Sequence, residues 1–395
     1  MLRIFDAQLC SATKHGDCIL KKEVRWRRDS TPKTFLPKKE KVMNENTYRK
    51  LADHLDRLPG GFPPSTTGAD LRLLQKLFAP EEAKLAVHLT LDRETAEAIA
   101  KRSRMPVEKV TTKLEVMAQK GVILNSQAPD GTWLYQAVPL VVGIYELQIN
   151  NLSQELLNAF YDYWSSTVDR PDVETIPQMR TIPIGESIQQ NSQALPYEQV
   201  NELVKTNDRF AVTICICRRN AKMRGEGCNA PEESCLVFGD WADYYVRTGR
   251  GKSINRAEVM EILAKADQAN LVLRPSNSRE IEFICCCCGC CCGGLVGLRS
   301  HPRPADVVAS AYIARLDSAI CQGCWTCIER CQMDALVEDF DHVRLKSERC
   351  IGCGLCVTTC PSGALSLERK PDNTRTRVPQ TLDDTWRIIV QDQAK

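Results

Sequence analysis

Eight cysteines late in the sequence fall into two runs, each spaced C-x2-C-x2-C-x3-C. The first is Cys321, Cys324, Cys327 and Cys331; the second, 29 residues on, is Cys350, Cys353, Cys356 and Cys360, followed by Pro361. Thiolates at this spacing suit iron–sulfur cubanes. Three on one short loop can embrace one face of a cluster, while the fourth ligand must come from a distant segment. A pair of zinc ribbons would use two C-x2-C pairs or a mixed Cys/His set, and neither run has a histidine among its spaced ligands. A disulfide framework would require secretion, for which the sequence shows no signal.

The repeat extends beyond cysteine. Arg315-Leu316 precedes Arg344-Leu345 by 29 residues, and Ala335-Leu336 precedes Ala364-Leu365 by the same interval. Each half is expected to run strand, ligand loop, short helix, strand. A unit of about 30 residues is too small to bury its own core, so pairing of the halves and metal binding must contribute folding free energy. The block from roughly 306 to 370 resembles a bacterial-type 2[4Fe-4S] ferredoxin domain. That resemblance implies crossed ligation, with Cys321, Cys324, Cys327 and Cys360 on one [4Fe-4S] cluster and Cys350, Cys353, Cys356 and Cys331 on the other. One departure is Gln332, where a proline usually follows the fourth cysteine; Pro361 keeps it in the second half.

A second cysteine system lies upstream. Residues 210–217, Phe-Ala-Val-Thr-Ile-Cys-Ile-Cys, alternate as a strand, which would aim Cys215 and Cys217 at one face. Cys228 and Cys235 follow, and then seven cysteines in eight positions: Cys285, Cys286, Cys287, Cys288, Cys290, Cys291 and Cys292, interrupted by Gly289 and followed by Gly293-Gly294. Adjacent thiolates repel unless a cation holds them, so some of these must be small buried apolar side chains. The glycines would let backbone amides approach inorganic sulfur. At least one further iron–sulfur centre is expected here, with a structural zinc as the alternative. Cys215, Cys217, Cys228 and Cys235 form one candidate set, and four residues from 285–292 another. Asn255–Ala269 between them reads as a helix with Val259, Ile262, Leu263 and Ala266 on its buried face.

The whole chain, 395 residues with net charge +2 and 26% charged residues, has room for two or three domains and no global bias toward nucleic acid or membrane. Nineteen of the 21 cysteines lie between 215 and 360. Such clustering fits metal ligation in a reducing cytoplasm, and exposed clusters fit an anaerobe. No run of 18 apolar residues is present, so no segment is expected to span a bilayer. Val138–Ile149, broken by Glu146, reads as buried core. Residues 1–42 carry eleven Lys/Arg against five Asp/Glu and read as a disordered basic extension, or as sequence upstream of an initiator at Met43. Cys10 and Cys18 fall there and are not expected to be ligands.

The front half is helical. Leu71, Leu74, Leu77 and Phe78 form an apolar stripe; Pro80 opens a helix over Glu81–His88, a second runs from Glu94 to Lys101, and a third carries Val107, Val110, Leu114 and Met117. Gly121 ends it, and Val122–Val138, turning at Pro129-Asp130-Gly131, reads as a hairpin. Three helices and a hairpin wing resemble a winged helix. Residues 90–138 hold seven Lys/Arg against six Asp/Glu, too balanced for phosphate neutralisation, so docking or dimerisation is expected rather than DNA binding. His88 reads as a packed helix residue. Leu152–Trp164 reads as an aromatic amphipathic helix, and 171–196, with four prolines, as an extended connector.

The stretches Cys215-Ile-Cys217-Arg218, Gly227-Cys228, Cys235 to Phe238-Gly239 and the run after Ile284 resemble a family of 4Fe-4S dicluster proteins of strict anaerobes. The likeness covers roughly 43–370. In that family the position of Cys286 is commonly asparagine, which makes Cys286 the member of the run least expected to ligate. The expected architecture is α+β and multidomain: a basic extension (1–42), a winged-helix-like domain (43–138), a helix and proline-rich connector (139–209), a Cys-rich metal-binding domain (210–300), a duplicated ferredoxin domain (306–370) and a tail (371–395). The expected function is single-electron relay to or from a partner oxidoreductase, since full cysteine ligation leaves no open iron. A redox-sensing DNA-binding regulator is one alternative; the other is a reductase with an open-site cluster in 210–292. No nicotinamide or flavin motif and no catalytic triad is present.

Overall fold

The computed structural model describes residues 38–168, 176–188, 194–371 and 376–393, with side chains described from residue 45. Cys10, Cys18 and most of the basic extension lie outside these residues. Its last part, 38–42, does not: α1 (Lys38–Leu55) begins there. Then come α2 (Ala69–Leu77) and α3 (Pro80–Ala86), where the Glu82 carboxylate accepts the Ala79 amide at 2.8 Å and Pro80 occupies the first turn. Glu94 does not open the next helix. Glu94–Thr95 forms β1, and Thr95 then caps α4 (Ala96–Ser103) through its hydroxyl. Next are α5 (Val107–Lys120), ended by Gly121 at φ 76°, and the hairpin β2 (Leu124–Gln127) and β3 (Trp133–Gln136). The three strands order β1-β3-β2, and the aromatic helix α6 (Gln154–Trp164) follows, capped by Ser153.

After α7 (Val200–Lys205) comes an antiparallel five-stranded sheet. Its strands are β4 (Phe210–Ile214), β5 (Glu233–Phe238), β6 (Gly251–Ile254), β7 (Val272–Pro275) and β8 (Phe283–Cys287), ordered β6-β4-β5-β8-β7. Between them run α8 (Ile216–Met223), α9 (Gly239–Arg247) and α10 (Arg256–Gln268), the last with a capping box from Asn255 and Glu258. Strand alternation divides the apolar side chains between two cores. Ala211, Val237 and Phe283 join a core built from α1 to α6 and α9, whereas Val212, Leu236, Phe238 and Ile284 join a second with α10.

The chain then passes through α11 (Gly293–Ser300) and α12 (Pro304–Val307) into the repeat. The first half runs β9 (Tyr312–Leu316), α13 (Thr326–Arg330) and β10 (Leu336–Asp339). The second runs β11 (His342–Leu345) to β12 (Leu365–Arg369), with turns at 355–359 where a short helix was expected. β9 pairs with β12, and β10 with β11, so the two halves interlock rather than stand side by side.

The cores do not follow the expected domain boundaries. Ala314, Met333, Ile351 and Leu355 of the repeat belong to the second core together with the sheet. The connector ties on as well: Ile182 N donates to Leu273 O (3.2 Å) and Ile184 N to Cys353 O (3.0 Å). The residues read as a tail form α14 (Leu382–Gln393), whose Trp386 is fully buried in the first core and donates from its indole nitrogen to Gln178 Oε1 at 2.9 Å. Among the described residues, no helix is long and apolar enough to cross a membrane.

Candidate metal centres

All nineteen described cysteines are free thiols. In the repeat, each ligand loop turns on a glycine that the cysteine spacing alone did not single out. Gly323 and Gly352, themselves 29 residues apart, adopt φ of 62° and 69°. A Cβ on Gly323 would lie 2.3 Å from Asp341 O, and one on Gly352 2.2 Å from Tyr312 O. Both loops therefore press backbone against backbone, which only glycine permits. The C-x-G-C triplets of the two runs carry that signal in the sequence.

The folded repeat interleaves its two runs. Burial pushes the Cys327 thiol up to about 11, and the nearby sulfurs of Cys324, Cys360 and Cys321 add to the shift. Cys353 is pushed up to about 12 by burial, with Cys331 and Cys350 beside it. Cys356 is raised by burial and by Cys353, Cys350 and Cys331, and then by Cys327 of the other group. Cys327, Cys321 and Cys360 pack in one small cluster and Cys350 and Cys353 against the second core, with Cys331 and Cys356 packed against both. Amides already point at sulfur: Ala314 N donates to Cys350 Sγ and Ala335 N to Cys331 Sγ, each at 3.3 Å. Such donors stabilise a thiolate and tune a cluster held by it.

In the middle region Cys215 and Cys217 do not continue a strand. β4 ends at Ile214, Cys215 is the N-cap of α8, and Cys217 lies in its first turn. The start of the helix instead sets the two thiols near each other, and the neighbouring Cys215 and Cys292 sulfurs together with burial raise the Cys217 thiol. The neighbouring Cys285 and Cys292 sulfurs together with burial raise the Cys287 thiol, and Cys235 faces Cys285 across β5 and β8 with the sulfurs 4.0 Å apart. Hydrogen bonds from Cys217 and Cys287 hold Cys292 well below the usual thiol range despite burial, and Arg274 assists. These six sulfurs form a chain. Tyr145 and the buried Glu146 line it, and burial raises the Glu146 carboxyl to about 7.

Cys228 leaves the set in which its spacing placed it. It joins Cys288, Cys290 and Cys291, and all four sulfurs lie within 4.8 Å of one another. The separations are 3.9 Å for Cys228–Cys288, 3.7 Å for Cys228–Cys291 and 3.7 Å for Cys290–Cys291. Arg218, only 1% exposed, donates to Cys288 Sγ at 3.7 Å and to Cys286 O at 3.0 Å. Cys286 itself is packed in the second core among apolar side chains. Arg218 was legible only as the neighbour of Cys217, with no pattern to give it a role.

The glycines of this run have different neighbours, and a Cβ on Gly294 would lie 3.9 Å from Cys292 Sγ. Gly289 is crowded by Gln332, whose Oε1 accepts the Gly289 amide at 2.7 Å and whose Nε2 donates to Asn270 O at 2.9 Å. Gly293 faces open space, and Gly294 faces Arg274. The departure at Gln332 from the usual proline is thus a tie between the ferredoxin repeat and the cysteine loop. Arg299 reinforces the same seam through a two-point ion pair with Asp334.

Residues 343–366 match the 4Fe-4S binding domain family, a segment that contains all four cysteines of the second run. No curated protein matches the chain. The matched segment indicates at least one [4Fe-4S] cluster, held in a chain of mixed helix and sheet.

Proposed function

We propose that this chain is an electron-transfer protein that carries two [4Fe-4S] clusters in residues 312–369 and passes single electrons to or from a partner oxidoreductase. Cys321, Cys324, Cys327 and Cys360 would hold one cluster, and Cys350, Cys353, Cys356 and Cys331 the other. What supports this reading is that Cys327 feels the charges of Cys324, Cys360 and Cys321, while Cys353 feels those of Cys331 and Cys350. The residues suit the group: eight free thiols, amide donors on two of them, and glycine turns that close each loop. When bound, each cluster supplies one-electron chemistry. The protein's part is to surround it with four thiolates, leaving no open iron, and to keep the two sites adjacent. The chain of Cys215, Cys217, Cys235, Cys285, Cys287 and Cys292 would hold a further iron–sulfur centre.

The front half, read as a winged helix, fits protein docking better than DNA binding. Several of its cations are already engaged: Arg102 pairs with Glu94, Lys120 with Glu82, and Arg93 with Asp240 and Asp383. Few remain to displace counterions from a duplex. The test of the relay is ligand exchange followed by EPR of the reduced protein. Cys360→Ala should perturb the signal that Cys321→Ala removes, and Cys331→Ala the one that Cys353→Ala removes. Pairing within each sequential run would overturn the assignment.

A further inference from the structure

The sulfurs of Cys228, Cys288, Cys290 and Cys291 form the tightest group of three or more thiols among the described residues. Among the described residues, no other three potential metal ligands lie mutually within 4.8 Å. That includes the two groups of the ferredoxin repeat. The contrast has a simple origin in coordination geometry. Four thiolates on four different irons must straddle a cubane, and their sulfurs stand apart. Four thiolates on a single ion lie at the corners of one tetrahedron. With metal–sulfur bonds of about 2.3 Å, the edge of that tetrahedron is about 3.8 Å. The observed separations of 3.7, 3.7 and 3.9 Å lie on that edge.

The geometry points to a mononuclear tetrathiolate site at Cys228, Cys288, Cys290 and Cys291, built for one thiophilic divalent ion, zinc or ferrous iron, and not for a cluster. Its surroundings are those of a built site. The Arg218 guanidinium, buried at 1% exposure, donates to Cys288 Sγ and offsets part of the negative charge that four thiolates leave on a divalent ion. The ligands come from two segments 60 residues apart, the loop after α8 and the loop after β8. An ion there would staple them together. The second of these loops is the one whose Gly289 amide is held by Gln332, so the staple lies against the ferredoxin repeat.

The test uses the full-length protein purified without oxygen, with total metal and acid-labile sulfide counted per chain. A cubane contributes iron and sulfide in equal number, so metal in excess of sulfide counts mononuclear ions. The count is the same whether the repeat loads two cubanes, one or none, and a failure of the relay reading does not disturb it. One ion in excess is expected. In the double variant Cys290→Ser/Cys291→Ser, whose side chains are exposed and half-buried, the excess should fall from one to zero with sulfide unchanged. Zinc in the elemental count, or a Mössbauer doublet of high-spin iron in a single tetrathiolate site, would identify the ion, and either supports the site. Total metal, zinc included, equal to sulfide in the unmutated protein would overturn it. So would a variant that loses iron and sulfide together, as a cluster site must.

Discussion

The ferredoxin repeat and the middle cysteine region gather thiols in opposite ways. In the repeat, three sulfurs of each group come from one loop, and the spacing in the chain is the spacing in space. In the middle region the sulfurs come from a helix cap, facing strands and two loops, so sheet register and helix phase decide which thiols meet. Cys235 reaches Cys285 only because β5 and β8 pair in that register, and Cys228 leaves its sequence neighbours for a loop 60 residues away. Locally encoded sites depend on the loop backbone, and assembled sites depend on the core beneath them.

Substitutions that strike one support and spare the other would break or sharpen this contrast. The largest effect is expected for Gly352→Ala. A Cβ there meets the Tyr312 carbonyl at 2.2 Å in a backbone with φ of 69°, and neither can give way. A cost above about 4 kcal/mol and loss of the second loop's cluster should follow, read by iron content and EPR. Gly293→Ala, which points into open space, should leave both unchanged. Equal tolerance at the two positions would erase the distinction.

Next in size is Trp386→Ala, which hollows the core under the sheet at a cost of about 3–5 kcal/mol. Thermal unfolding should show the metal of the middle region released before the absorbance of the repeat is lost. Simultaneous loss would mean that both regions unfold as one unit. The smallest effect is expected for Gln332→Ala, which leaves the buried Gly289 amide without its acceptor and costs about 1–3 kcal/mol. Amide exchange should then quicken at Gly289 and stay slow in β9 and β12.

How much of this was legible beforehand follows the same division. The helix end at Gly121 and the hairpin at Pro129–Gly131 are local patterns, and each appears where the pattern placed it. Other features were set by partners far along the chain. Alternation at 210–217 suggested that Cys215 and Cys217 share a strand, but the strand ends at Ile214 and a helix takes over. The partition of ten middle cysteines into a chain of six and a knot of four depends on pairings that no local period encodes. The residues after 370 read as a tail, while Leu382 and Trp386 needed the first core to reveal what they cover.

The placement of Trp386 bears on the order in which the protein can be made. Its indole bonds Gln178, 208 residues earlier, and fills a core whose other walls come from the front half and from α9 and the middle sheet. During synthesis those walls emerge long before their plug, and the nascent chain must carry an open apolar cleft until residue 386 leaves the ribosome. The cysteine loops appear within that interval. Metal loading and the closing of the core are therefore events of the same late window, one in which a chaperone or a metal donor would find both still accessible.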